Sequence, residues 1–337
     1  MISPVNAASA SLCEGAAVTT SASVRVRVRC QTVRVLLIVN ETASAVTARR
    51  RVLVQRILGA DHKLEVAETS RRGHAARIAR GAALDGVEVV AVFAGDGTLS
   101  EAADGLSRSA TALAPLPGGS TDVFARSIGV ARDPVQAAEQ LRDGLARGSF
   151  HRIGLGVANG RRFLFHCGLG LDAAVIAQVE RRSFLKRYGA HPLYVAATLD
   201  TWWRHYDHRR PRFRVEVGEG DLVGESAFAT ISNQRPWTYL GKRPITTSRD
   251  AGLDVPLTLT LFRSLEISVL LTCAASALRG GRLMSRHPKV VTRSNLYSLT
   301  ITGHGPFPWQ VDGDYLGEIE RLTISWEPDT LTIVTPG

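Results

Sequence analysis

Two glycine turns, each closing an apolar run of strand length and opening a stretch of helical spacing, constrain this chain more than any other feature. The first follows Val89 to Phe93, where Ala94, Gly95, Asp96, Gly97 and Thr98 lead into helical spacing over residues 99–106. The second follows Ala112 to Leu116, where Pro117, Gly118, Gly119, Ser120, Thr121 and Asp122 lead into Val123 to Ile128. Glycine lets a backbone come close to a phosphate, and the free amides and dipole of a helix start favour negative charge. On neighbouring parallel strands, two such turns would lie side by side at the carboxyl edge of the sheet, where open α/β folds bind ligands. A plainer alternative stays open for each: a capping box formed by Thr98 and Glu101, and a simple helix cap by Ser120 or Asp122.

The surrounding pattern supports a parallel sheet. Val33 to Val39, Leu64 to Glu68 and Val87 to Phe93 are apolar runs of strand length, alternating with helices expected near Ala48 to Leu58 and after Gly73. After about Phe150 the texture changes to shorter alternating segments with frequent Gly and Pro. Strands are expected at Arg161 to His166, Phe213 to Val217, Ala227 to Ser232, Leu257 to Phe262, Leu296 to Thr302 and Leu331 to Val334. Helices are expected near Ala173 to Arg181, Pro192 to Trp203 and Leu265 to Leu278. The expected fold is therefore an α/β N-terminal domain with a parallel sheet (33–148) and a C-terminal, mainly antiparallel β-sandwich domain (149–337), whose last segment packs back on the first. Residues 1–32, ending in Val-Arg alternation, read as a flexible tail, with an edge strand or a basic arm as alternatives.

Charge narrows the partners without choosing among them. The net charge is +10, and four of the 41 basic residues are lysines (Lys63, Lys186, Lys242, Lys289), so 37 are arginines. Arginine presents a permanently charged fork suited to phosphate, which fits nucleic acid, an anionic membrane surface or a phosphorylated ligand. None of the usual nucleic-acid modules is present, so nucleic acid is not an expected partner. Between Arg181 and Arg214, arginines interleave with Phe184, Tyr188, Trp202, Trp203 and Tyr206, a mixture suited to an anionic lipid interface or to a solvated face with tryptophans in the core. Cys13, Cys30, Cys167 and Cys273 form no CxxC pair, which points to a reduced, cytoplasmic setting. The most apolar stretch, Ile267 to Leu278, is shorter than a membrane span. Any contact with a membrane would thus be peripheral, and a homodimer stays open.

The phosphate site is not of the P-loop type, because the Gly-Lys pair at Gly241 and Lys242 is followed by Arg243. The turns instead resemble the lipid kinase family of bacterial diacylglycerol kinases and sphingosine kinases, marked by a GGDGT turn and a later PxGT-type turn. The likeness runs from about Val33 to Val334. Asn40, Thr69 and Gly73 to Ala75 match further elements, and Ala94, Glu41, Ser120, Asp122 and Val123 stand where the family usually has other residues. Gly168 to Ala173 resembles the family's G-x-G-F-D-A segment, and Asp250 to Val255 resembles D-G-L-L-D-V. Asp312, Gly313 and Asp314 resemble the D-G-E element near the carboxyl end.

This resemblance implies an NAD kinase/diacylglycerol kinase-like fold and an ATP- and Mg²⁺-dependent kinase for a lipid hydroxyl, diacylglycerol or a related alcohol. It implies nucleotide contacts from Asn40, Thr69, Gly95, Asp96, Gly97, Thr98 and Ser120, with Asp96 also organising metal and water. Asp314 would accept the hydroxyl proton. Asp250, with the carbonyls of Thr247 and Gly252, would hold a structural magnesium, or Asp250 merely turns a loop. Asp122 and Asp172 would line the substrate cleft. An Asp-Gly-Asp run taken alone is most simply a hairpin turn. An NAD kinase-like enzyme and a catalytically impaired nucleotide-binding regulator on the same scaffold are the alternatives.

Overall fold

Strands that are apolar along their whole length need cover on both faces, and the first half of the chain is built that way. The computed structural model describes residues 32–181, 198, 200, 201, 204, 210–282 and 284–336. Four strands, β1 (Arg34–Val39), β2 (Lys63–Glu68), β3 (Val89–Ala94) and β4 (Ala112–Pro117), pair in parallel in the order β2-β1-β3-β4. All six residues of β3 and of β4 are buried.

Alternate residues of these strands face opposite ways, and each set finds helices. Leu36, Ile38, Val90 and Val92 pack with α2 (His74–Leu84) and α3 (Asp96–Leu106). Val35, Leu37, Val89, Ala91 and Phe93 pack with α1 (Ala48–Gly59) and, beyond the short α4 (Val123–Ser127), with α5 (Pro134–Arg147). Both ends of α5 follow capping chemistry: Asp133 accepts the amides of Val135 and Gln136, Pro134 opens the first turn, and Gly148 closes the helix at φ 66°.

The rest is mainly antiparallel. Strands β5 (Phe150–Ala158), β6 (Arg161–Phe163) and β7 (His166–Gly170) precede α6 (Leu171–Arg181). They are followed by β8 (Phe213–Val217), β9 (Asp221–Ser226), β10 (Phe228–Ser232), the β11–β12 hairpin (Thr238–Leu240, Arg243–Ile245) and β13 (Leu257–Phe262). Then come α7 (Ile267–Ala277), β14 (Val290–Leu296), β15 (Ser298–Val311) and β16 (Asp314–Val334). Pairing slips between Thr302 and Phe307 of β15. One apolar cluster there joins Cys167, Leu169, Ala229, Ile231 and Leu259 to Phe213, Val215, Leu299, Ile301 and Ile324, so the strands enclose a core from two sides. The 21-residue β16 links the two regions: Ile324 pairs with Ala158, while Thr332 and Ile333 run parallel to Ala112 and Leu113 of β4.

The single strand expected over Arg161 to His166 is two, broken at Leu164 and Phe165, whose amides go to a carboxylate instead of to a ladder. The strand expected over Leu296 to Thr302 is also interrupted, at Tyr297 between β14 and β15. The expected tail through residue 31, with Cys13 and Cys30, most of the helix expected near Pro192 to Trp203 and most of the arginine-aromatic stretch lie outside the described residues. Cys167 and Cys273 are buried free thiols. Among the described residues no helix is long and apolar enough to cross a membrane.

Candidate active site

The two glycine turns meet backbone to backbone. Gly118 donates to the carbonyl of Ala94 at 2.9 Å, and a Cβ on Gly118 would stand 2.7 Å from the Ala94 backbone. A Cβ on Gly119 would stand 3.0 Å from the Cα of Gly95. Only glycine permits this approach, which follows from β3 and β4 being adjacent parallel strands. Gly97, the second residue of α3, has nothing within 4 Å of where its Cβ would be. No side chain caps α3, so its first amides remain open toward that space.

Neither simple helix-capping alternative is realised. Glu101 accepts the amides of Gly73 at 2.7 Å and Ala75 at 3.2 Å, so it caps α2 and not its own helix. Asp122, at φ 48°, turns back to take the amide of Gly119 at 2.8 Å and does not cap α4. The amides that start α4, Val123 and Phe124, are taken by Asp96 from the other turn, at 2.9 and 3.3 Å. Asp96 therefore binds the two turns together. Burial raises its carboxyl to about 7; the two amides act against this, and the nearby Asp122 adds to it. Asp122 is itself raised by burial, against the amides of Gly119 and Gly118. The residues at 122 and 123 are thus accommodated by hydrogen bonds that the turn supplies.

The remaining expected nucleotide residues border the same edge. Asn40, just past β1, donates to the Thr98 hydroxyl at 3.1 Å and accepts from the amide and hydroxyl of Thr42. Thr69, just past β2, donates its amide to Val39 at 2.9 Å. Ser120 is exposed at the tip of the second turn.

The late acidic element reaches this edge through α3. Asp312 and Gly313 form a two-residue hairpin, both at positive φ (51° and 85°), between paired Val311 and Asp314. The buried Asp312 carboxylate accepts the Ser100 hydroxyl and the amides of Leu164 (2.8 Å), Phe165 (2.8 Å) and His166 (3.1 Å). Burial raises it to about 6, with those donors pulling the other way. Nothing in the sequence signals a role for Asp312 beyond the turn, since its partners lie between 146 and 212 positions away. Asp314 emerges two residues on, with Arg72 on Oδ1 and Arg161 on Oδ2, each at 2.6 Å.

Asp172, in the first turn of α6, is buried and raised to about 6 by that burial, and it accepts from Gln310 at 2.7 Å. It lies over Gly168, where a side chain would strike its carboxylate. The face of β7, β10, β13 and β14 turned toward α6 and α7 carries Thr230, Ser232, Thr258, Thr260 and Thr292, whose buried hydroxyls have no hydrogen-bond partner among the described residues.

Asp250, Thr247 and Gly252, the residues expected to hold magnesium, lie in the loop between β12 and β13. There Asp250 accepts the Ser294 hydroxyl at 3.0 Å and the Gly252 carbonyl takes the Val255 amide at 3.4 Å, one bond each, which leaves lone pairs on both groups. Among the described residues no group of three or more His, Cys, Asp or Glu is placed to hold a metal ion.

Comparison with known proteins agrees with this layout. Residues 34–150 match the diacylglycerol kinase catalytic domain. Over 147 residues the chain is 36% identical to a protein of Pseudomonas aeruginosa (strain UCBPP-PA14) called "Probable lipid kinase YegS-like", covering 43% of this chain and 46% of that one. Over 142 residues it is 29% identical to a diacylglycerol kinase of Bacillus subtilis (strain 168), covering 41% and 46%. The matched part is thus a little under half of each relative's length. The crystal structure of a diacylglycerol kinase from Bacillus anthracis shares the fold across 90% of this chain and 96% of that one, with a TM-score of 0.67 and 19% identity.

Proposed function

Residues 34–150 belong to the diacylglycerol kinase catalytic domain family, and from that premise we propose that this chain transfers the γ-phosphoryl group of ATP to the hydroxyl of a lipid, diacylglycerol or a related alcohol. The observation that carries the proposal is the pair of abutting glycine turns with open space beside Gly97, edged by Asn40 and Thr98 and tied through Ser100 and Asp312 to the carboxylate of Asp314.

Phosphoryl transfer asks a protein mainly for positioning and charge stabilisation. The open amides at the start of α3 and the Gly118–Gly119 backbone would receive the triphosphate. Mg²⁺ would supply charge neutralisation, held largely by the phosphate oxygens themselves. Asp314 would take the acceptor proton. Each of its oxygens bonds one arginine and keeps a second lone pair for a substrate hydroxyl, so Arg72 and Arg161 orient the base without blocking it. The acceptor would approach from the side of Asp172 and the hydroxyl-lined face, where apolar residues of α6 and α7 offer cover for acyl chains.

The test is transfer of radiolabel from γ-labelled ATP into a mixed lipid extract, with NAD as a parallel acceptor. A labelled lipid, absent with Asp314→Asn, is the expected result. Label in NAD and none in lipid would assign the chemistry to the alternative acceptor, and no transfer at all would favour a regulatory protein.

A further inference from the structure

An amphipathic helix normally leaves one polar face to water, but α7 is apolar on both. At 3.6 residues per turn its buried face carries Val269, Cys273, Ser276 and Ala277. The opposite face places Ile267, Leu271, Ala274 and Leu278 in one stripe, and the three large members are 46%, 64% and 42% exposed. Exposed apolar side chains scattered singly need no explanation, whereas a continuous ridge along one helix does.

The charge around the ridge selects its partner. From Ile267 to Val311 the sequence has no acidic residue, while Arg279, Arg282, Arg286, Lys289 and Arg293 lie in that span. Arg279, Arg282 and Arg286 are exposed just beyond the carboxyl end of the helix. At the amino end, Glu266 is neutralised by Lys289, whose ammonium contacts both its oxygens at 2.8 and 2.9 Å. Apolar side chains that can sink between headgroups, with arginines alongside, are the chemistry of an anionic bilayer surface.

We propose that the outer face of α7 docks this protein on anionic lipid bilayers, with Ile267, Leu271 and Leu278 inserting and the following arginines meeting lipid phosphate. This rests on the lipid-kinase proposal for its purpose, since an enzyme acting on membrane lipid must reach the bilayer, but not for its measurement. It involves residues separate from the arginine-aromatic stretch noted in the sequence.

The test is co-sedimentation of the full chain with phosphatidylcholine vesicles, with and without phosphatidylglycerol, in the absence of ATP. Binding is expected with phosphatidylglycerol, weakening with salt, and Leu271→Glu should reduce it at least about tenfold at an unchanged thermal midpoint. Leu222→Glu, at an exposed leucine on β9, should leave it unchanged. Equal vesicle binding by Leu271→Glu and the parent, or a concentration-dependent dimer that Leu271→Glu dissolves without any vesicle binding, overturns the proposal. Because no nucleotide is present, failure of phosphoryl transfer would leave this result standing, and loss of docking would leave transfer to a short-chain soluble acceptor intact.

Discussion

Arg72, in the loop before α2, donates to Asp314 at 2.6 Å across 242 positions of sequence. With Arg161 on the other oxygen, the carboxylate is fixed from two sides although its side chain keeps some exposure. A group held this way is oriented before a substrate arrives, as a proton acceptor needs to be.

Asp314→Asn keeps the shape and removes the basicity. Phosphoryl transfer should fall by roughly 10²- to 10⁴-fold, the usual worth of a positioned general base. Stability should change by about 1 kcal/mol or less, because both arginines are partly exposed. Label transfer and the thermal midpoint measured on one preparation separate the two effects, and full transfer by the variant would move the base elsewhere.

Gly97 and Gly118 should respond oppositely to alanine. Gly97 lies in a helix with free space around it, so Gly97→Ala should leave stability unchanged or raise it by up to about 1 kcal/mol. The new methyl would occupy the space proposed for the nucleotide, so thermal stabilisation by Mg-ATP should disappear. Gly118→Ala would press on the Ala94 backbone and should cost about 1–3 kcal/mol even without ligand. Differential scanning fluorimetry with and without Mg-ATP reads both; undiminished stabilisation of Gly97→Ala would place the phosphates elsewhere.

Asp312 should matter more to folding than its place in a turn suggests. Asn at 312 offers one acceptor oxygen and turns an amide toward backbone N–H groups, leaving buried donors unmet at Leu164, Phe165 or His166. A loss of about 2–3 kcal/mol in urea unfolding is expected, against about 1 kcal/mol for Ser100→Ala. Equal effects of the two variants would contradict the central role given to the carboxylate.

What was legible in the sequence follows from how local its cause is. The parallel strands declare themselves because burial on both faces makes them apolar throughout, and the glycine turns because close backbone approach permits no side chain. Asp312 was opaque because its partners come from distant chain, and so was the break it makes after Phe163. Strand β5 was hidden for a related reason: Gly154 and Gly156 are poor strand formers, yet the rings of Trp326 and Phe163 lie where their side chains would be. The length of β16 escaped notice because one end serves the antiparallel layers and the other the parallel sheet, so no single alternation runs through it. The role of Glu101 was misplaced because a local T-x-x-E pattern cannot reveal a helix packed beside it.

The raised carboxyl of Asp96 gives stability a pH dependence of definite sign. In the unfolded chain an aspartate titrates near 3.9, whereas folded Asp96 titrates at about 7. Between these values the native state holds a proton that the unfolded state has lost, so raising the pH favours unfolding. Its contribution is fully present below the unfolded value and is lost as pH rises through about 7. Asp172 and Asp312, at about 6, act in the same direction but are mostly spent sooner. His166, lowered to about 4 by burial, acts the opposite way, and only below the ordinary histidine value of about 6.5. From about pH 6.5 to 8 the dependence therefore comes chiefly from Asp96, with the neighbouring Asp122, also raised by burial, acting in the same direction. The thermal midpoint of the ligand-free protein should decline across it, and Asp96→Asn should flatten that decline even though losing an acceptor for Val123 or Phe124 lowers the midpoint at every pH. A variant that keeps the full slope would show that another group titrates there.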